Sequence, residues 1–241
     1  MNHLKLITPV LGILLAAVAV KAQETKEDPD SSRFSYGVKA GAAFSAFTFG
    51  YEPFTDKKAG VFAGVFAEYT VFGFLSVSAE PAYIQKGALN LDPSFLYDDA
   101  GVYDPYIIMV VNKVTSHHVQ LPLVFHLKLP AKTCKVVPSL SLGGSAAYTF
   151  NVRARNLLYY DILNDQRHFE TMTEGITRQF KPWEFHVLAG PRLDFLNPVA
   201  DVILEVNYCV GLSRINKYQY KNQFYNFSSN SWIFTLGFRI K

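Results

Sequence analysis

Four histidines, His117, His118, His126 and His186, are the side chains of this chain best suited to ligate a metal or to move a proton at neutral pH. Their spacing argues against a metal centre. Adjacent residues of a strand point to opposite faces, so His117 and His118 cannot both ligate from one side. His126 and His186 fall on strands that are not neighbours in the chain. The two cysteines, Cys134 and Cys209, show none of the tight Cys/His spacing of a zinc site. They read as free thiols, one in a turn and one inside a strand. Ser116 with His117 and His118, beside Glu184 and His186, is the one set that could supply a nucleophile and a base. Acyl transfer also needs a third group that orients the base, and the sequence offers no evident one. No catalytic residue, metal or cofactor is therefore assigned, and the chain is not expected to be an enzyme.

A second set carries charge rather than reactivity. Lys39, Glu68, Glu80, Arg192, Glu205 and Arg239 all occupy the polar side of otherwise apolar alternating segments. A period of two means a strand with two unlike faces. In Phe34–Phe47, the residues Phe34, Tyr36, Val38, Ala40, Ala42, Phe44 and Ala46 share one side. Ser35, Gly37, Lys39, Gly41, Ala43 and Ser45 share the other. The pattern recurs over Ala59–Val71, Phe74–Gly87, Ser116–Leu129, Val136–Asn151, Trp183–Phe195, Ala200–Ser213 and Ser231–Lys241. Pro81 cannot donate to a ladder, so a bulge is expected there. The polar sides are rich in Gly, Ala and Ser with isolated charges, which suits a narrow lumen rather than a packed apolar core.

Strands of this length suit a tilted crossing of a bilayer, and in hydrocarbon every backbone donor and acceptor must be paired, so the sheet must close. The reading is all-β: an eight-stranded antiparallel up-and-down transmembrane β-barrel over residues 34–241. Connections after the second, fourth and sixth strands are short and the others long, the asymmetry of periplasmic turns and external loops. Trp183, Trp232, Tyr148 and Phe150 would then mark the outer rim, and Phe34, Tyr36, Phe72 and Phe238 the inner one. A barrel of eight strands is just wide enough for its own side chains to fill. Opposite charges buried at similar depth should pair, because an unpaired buried charge is far costlier. The six charged residues are expected to form an ionic plug in the lower half of the lumen, which argues against a wide diffusion pore.

The N-terminus reads as an export signal. Lys5 opens it, Leu6 to Val20 is its apolar run, and Val20-Lys21-Ala22 is a small-x-small cleavage site. Residues 1–22 are the expected signal peptide and 23–33 a polar, flexible periplasmic leader. Charged residues are only 18% of the chain and aromatics 15%. Yet no later segment supplies the roughly 18 uninterrupted apolar residues of a spanning helix. The formal charge of +3 includes Lys5 and Lys21. No basic patch stands out, so no nucleic-acid partner is expected.

Two long connections differ in sign. Leu89 to Thr115 holds Asp92, Asp98, Asp99 and Asp104, whereas Val152 to Pro182 holds Arg153, Arg155, Arg167 and Arg178. They are expected to pair over the barrel mouth. Ile107 to Val111 should continue the fourth strand above the membrane; left exposed, such an edge would suit strand addition by a partner.

Several stretches resemble the PorT-like family of outer-membrane β-barrels from Bacteroidetes: Gly37-Val38-Lys39-Ala40-Gly41, Ala59 to Tyr69, Leu75 to Ala88, Val119 to Leu129, Asn207 to Asn216 and Leu236-Gly237-Phe238-Arg239. The chain departs from that pattern at Gln120, where the family often has Glu, and at its Ile240-Lys241 ending, where an aromatic is usual. The alternating strands behind an export signal point to a bacterial outer membrane, and the alternation of Phe234, Leu236 and Phe238 keeps an insertion signal for the barrel assembly machinery. The resemblance implies, through the namesake, an accessory role in type IX protein secretion. The expected partners are outer-membrane lipid, that machinery, and a protein at the extracellular loops or the periplasmic side. The reading reached is a non-catalytic outer-membrane protein, structural or binding through its loops. A secretion factor, a small-solute channel and a lipid-modifying enzyme are the alternatives.

Overall fold

The computed structural model describes residues 33–49, 52–92, 107–129, 135–162, 166–217 and 227–240. The expected signal peptide, nearly all of the leader, Cys134, and Asp98, Asp99 and Asp104 of the acidic connection lie outside them. The strands are β1 (Phe34–Phe49), β2 (Glu52–Pro53), β3 (Asp56–Phe72), β4 (Leu75–Ala79), β5 (Ala82–Leu91), β6 (Ile107–Lys128), β7 (Val136–Ile162), β8 (Gln166–Gly175), β9 (Trp183–Phe195), β10 (Asp201–Gly211) and β11 (Phe227–Ile240).

All pairings are antiparallel, and β1 pairs with both β3 and β11, which closes the sheet. The ring has eight staves, with β4 and β5 forming one of them. They part at Glu80 and Pro81, as the ring nitrogen of Pro81 requires. The Pro81 carbonyl still accepts from Val65 N (3.1 Å) and Glu80 N donates to the Pro122 carbonyl (3.0 Å), so the wall stays hydrogen-bonded across the break. The short turns β3–β4, β6–β7 and β9–β10 share one end with both termini of the ring, the end that the sequence reading expects to be periplasmic.

The alternation sets the two faces as read from the sequence. Val38, Val65, Leu123, Phe125, Leu142, Leu204 and Leu236 look outward, while Lys39, Glu68, His126, Ser141, Arg192 and Glu205 are buried inside. Both aromatic rims are outward: Trp183 with Tyr148 above, and Phe34, Tyr36, Phe72 and Phe238 below.

One element departs from the sequence reading. The expected basic connection is not a loop, because β7 runs on to Ile162 and β8 returns along it from Ile162↔Gln166 to Arg153↔Gly175. Its period of two, with Val152, Ala154 and Asn156 inward and Arg153 and Arg155 outward, was already legible as strand. The start of β6 at Ile107 is as expected, and its first rungs pair with β7 from Ile107↔Tyr160 to Val111↔Asn156.

Candidate functional site

The chemistry-bearing side chains gather inside the barrel, in layers. The lowest is centred on two guanidinium groups. Arg192 on β9 donates to Glu68 Oε2 across the lumen (2.7 Å) and to Asp194 Oδ1 on its own strand (2.6 Å). Arg239 on β11 donates to Asp194 Oδ2 (2.9 Å) and twice to Asp201 Oδ2 (3.0 and 2.7 Å). Glu68 also takes Lys128 Nζ at 3.0 Å and the Ser76 hydroxyl at 2.7 Å. Planar forks suit this bridging, because one guanidinium serves two carboxylates at once.

One step up, Lys39 Nζ on β1 donates to Glu80 Oε1 and Glu205 Oε2, both at 2.7 Å, and stands 5.1 Å from the centre of the Phe66 ring. Gly37 leaves the room for that ring: a Cβ there would come within 2.6 Å of its tip. Ser78 donates to Glu80 and Ser141 to Glu205, each at 2.7 Å. The two ring nitrogens of His126 lie 2.8 and 2.9 Å from these same hydroxyls.

Above this, buried apolar residues gather inward, with the polar Asn207 directly opposite Ile233. Phe62, Ala82, Ile84, Val124, Leu188 and Ile233 form a belt across the lumen. Each sits on its strand between a lower and an upper polar residue, as Val124 lies between His126 and Gln120. Cys209 joins this belt as a buried free thiol.

The upper polar layer holds the expected nucleophile–base set, and only part of it converges. His117 faces outward, its Nδ1 2.6 Å from Tyr83 Oη. His118 faces inward, with Nε2 2.8 Å from Ser116 Oγ and Nδ1 2.9 Å from Thr149 Oγ1. Thr149 in turn donates to Glu184 Oε1 at 3.2 Å, and Glu184 lies 3.3 Å from His186 Nε2, which accepts from Lys86 Nζ at 2.9 Å. Glu184, already in the set read from the sequence, thus reaches His118 through Thr149, the link that the sequence reading did not supply. All of Ser116, His118 and Glu184 are buried.

A second apolar cluster roofs this layer: Phe47, Leu91, Val111, Val152, Phe180 and Phe227 are among its members. A single 3-10 turn at Thr177–Gln179 drops Ile176 and Phe180 into the mouth. Phe47 meets Phe227 and Phe180 at 5.1 and 6.1 Å between ring centres.

All six residues singled out from the sequence are therefore inside, and each makes a charged contact. Alternation alone also placed His126, Lys128 and Asp194 on that face, but gave no reason to join them to the cluster. Asp201 was missed because it sits near the β9–β10 turn, where the period has only begun.

Similar solved structures include neisserial surface protein A (16% identity, 87% of this chain and 97% of that one covered, TM-score 0.38). Two others are the attachment invasion locus protein Ail of Yersinia pestis (13%, 87% and 100%, TM-score 0.37) and a major outer membrane protein of Thermus thermophilus (14%, 87% and 99%, TM-score 0.42). No curated protein matches the chain. The model of one family covers residues 21–217, most of the chain, and on that match the chain belongs to the family described as outer membrane protein beta-barrel domain.

Proposed function

We propose that this protein is a closed, non-catalytic outer-membrane barrel whose lumen is sealed and whose working surface is extracellular. The carrying observation is the stacking of unlike layers along the lumen. Lys39, Glu68, Glu80, Arg192, Glu205 and Arg239 act as a structural ionic plug, with an apolar belt and an apolar roof above them. An ion crossing would have to break charged contacts buried away from water and then cross two apolar layers, each a large penalty. The test is planar-bilayer conductance of the refolded chain. Electrical silence is expected, and steady large currents from the intact protein would overturn the plug.

The strand hairpin β7–β8 rising above the ring supplies the extracellular surface through which a protein partner would bind. The resemblance to PorT-like proteins points to one such role, in type IX secretion, and co-purification with a secretion complex under native extraction tests it. The leader and a mature N-terminus at Gln23 belong to the same reading, and mass spectrometry of the exported chain checks the cut.

The relay Ser116–His118–Thr149–Glu184 favours a second reading, hydrolysis of a lipid ester. Its burial under the apolar roof supports a structural role instead. A fluorophosphonate probe decides: labelling of Ser116 in the folded protein would establish the enzymatic reading.

A further inference from the structure

Just above the upper aromatic rim, β6 and β7 carry three outward-facing cations side by side. Val114, Ser116, Val152 and Ala154 are buried inward, so Lys113, Arg153 and Arg155 stand on the outer face, and all three are exposed. Lys113 lies directly opposite Arg155, and Thr115 opposite Arg153. Like charges facing each other across a ladder are destabilising, so the arrangement calls for an anion. The protein does not supply one among the described residues, where none of the three cations makes an ion pair. Glu174 on β8 is opposite Ala154 and so shares its face, not that of the arginines. Asp56 is separated from Lys113 by Leu89, and its Oδ2 accepts from Asn90 Nδ2 at 2.7 Å. What β8 adds beside Arg155 is Thr173, an exposed hydroxyl.

The height of the patch says which anion. Below it His117 bonds Tyr83, Phe150 packs against both, and Tyr148 meets Trp183 at 5.1 Å. From Val119 down, the outward residues of β6 are apolar. The hydrocarbon boundary therefore lies near Phe150. Arg153 is three residues farther along β7, roughly 10 Å at about 3.3 Å per residue, and less in height once strand tilt is counted. Headgroups extend roughly 5–8 Å beyond the hydrocarbon, and long basic side chains reach toward them.

We propose that Lys113, Arg153 and Arg155, with the Thr115 and Thr173 hydroxyls, bind the phosphate groups of a phosphorylated lipid in the outer leaflet. Three cations with no carboxylate paired to them among the described residues match a multiply charged headgroup, and the two-strand spacing lets adjacent side chains share one phosphate.

The test is native mass spectrometry of the full chain with bisphosphorylated lipid A, against fully dephosphorylated lipid A. The expectation is retention of the bisphosphorylated lipid and loss of about fivefold in affinity per cation removed, roughly a hundredfold for Lys113→Gln/Arg153→Gln/Arg155→Gln. Lys135→Gln, at the periplasmic base of β7, should leave retention unchanged. Heat-modifiable mobility on gels confirms that each variant is folded. Wild-type retention insensitive to lipid phosphorylation, or a folded triple variant that binds as well as wild type, would overturn the site. Displacement by millimolar inorganic phosphate would show an adventitious anion site rather than a lipid site, and would overturn it equally.

Discussion

Removing the Lys39 ammonium should cost the barrel several kcal/mol, and the structure shows why. Lys39 Nζ sits 2.7 Å from Glu80 and 2.7 Å from Glu205, with side-chain exposures of 2%, 7% and 1%. Each contact is worth about 6 kcal/mol of attraction at an effective dielectric of about 20, set against the cost of desolvating all three groups. In Lys39→Met the attraction goes but the desolvation of both carboxylates remains. Their oxygens, having shared one nitrogen, are at most about 5.4 Å apart and so repel by no less than about 3 kcal/mol at that dielectric. Breaking a buried pair by removing one partner costs about 3–5 kcal/mol, so that is the expected loss. The assay is guanidinium unfolding of the barrel in phospholipid vesicles, with the folded fraction read from gel mobility. Lys39→Met/Glu80→Gln/Glu205→Gln, which strands no charge, should recover more than half of the loss. A single variant costing under about 1 kcal/mol, or a triple variant no better than the single, would refute the pairing as a source of stability.

The outward face makes its own predictions. Leu123 is 54% exposed at the middle of the apolar run of β6, so Leu123→Arg should cost about 2–4 kcal/mol in the same unfolding assay. A neutral effect would place that face away from lipid. Cys209 is buried in the apolar belt, so in a Cys134→Ser background a maleimide should label it only after denaturation. Rapid labelling of the folded protein would show that the belt is open to water. Arg192→Met should cost less than Lys39→Met, since Glu68 keeps Lys128 and Arg239 and Asp194 keeps Arg239, and the same guanidinium titration compares the two.

The fold was legible because a barrel in lipid obeys a simple rule. Period two fixes the face of every residue, and the nonpolar face has one environment from end to end. Pro81 announced the break in its stave for an equally local reason, its missing N–H. Depth was harder. Whether Arg192 meets Glu68 depends on strand tilt and stagger accumulated across the ring, which no single segment records. The two residues are on strands that are not neighbours, and their contact spans the lumen. The sequence could therefore collect the inward charges without sorting them into layers. It could set Ser116 and His118 beside Glu184 without joining them, for the same cause, since Thr149, the link between them, reads as one more small polar residue on β7.

Placing so much charge inside is not the cheapest way to fill a lumen, because well-packed apolar side chains would stabilise it as well or better. The difference lies in what the alternatives cost. A slip of one residue between strands exchanges the two faces of the slipped strand. With an apolar lumen, that slip would set one apolar face in place of another and lose little. With Lys39, Glu68, Glu80, Arg192, Glu205 and Arg239 inside, a slip of any stave that bears one of them would carry an ionised group into hydrocarbon and leave its partner stranded in the lumen. The basic outward residues Lys113, Arg153 and Arg155 act in the same sense at the other end of the barrel, since they cannot sink below the aromatic rim without losing water or phosphate. Charge inside fixes which side of each strand faces lipid, and charge above the rim fixes how deep the barrel sits. The two sets together specify one register and one depth, which the apolar residues, being alike from rim to rim, do not.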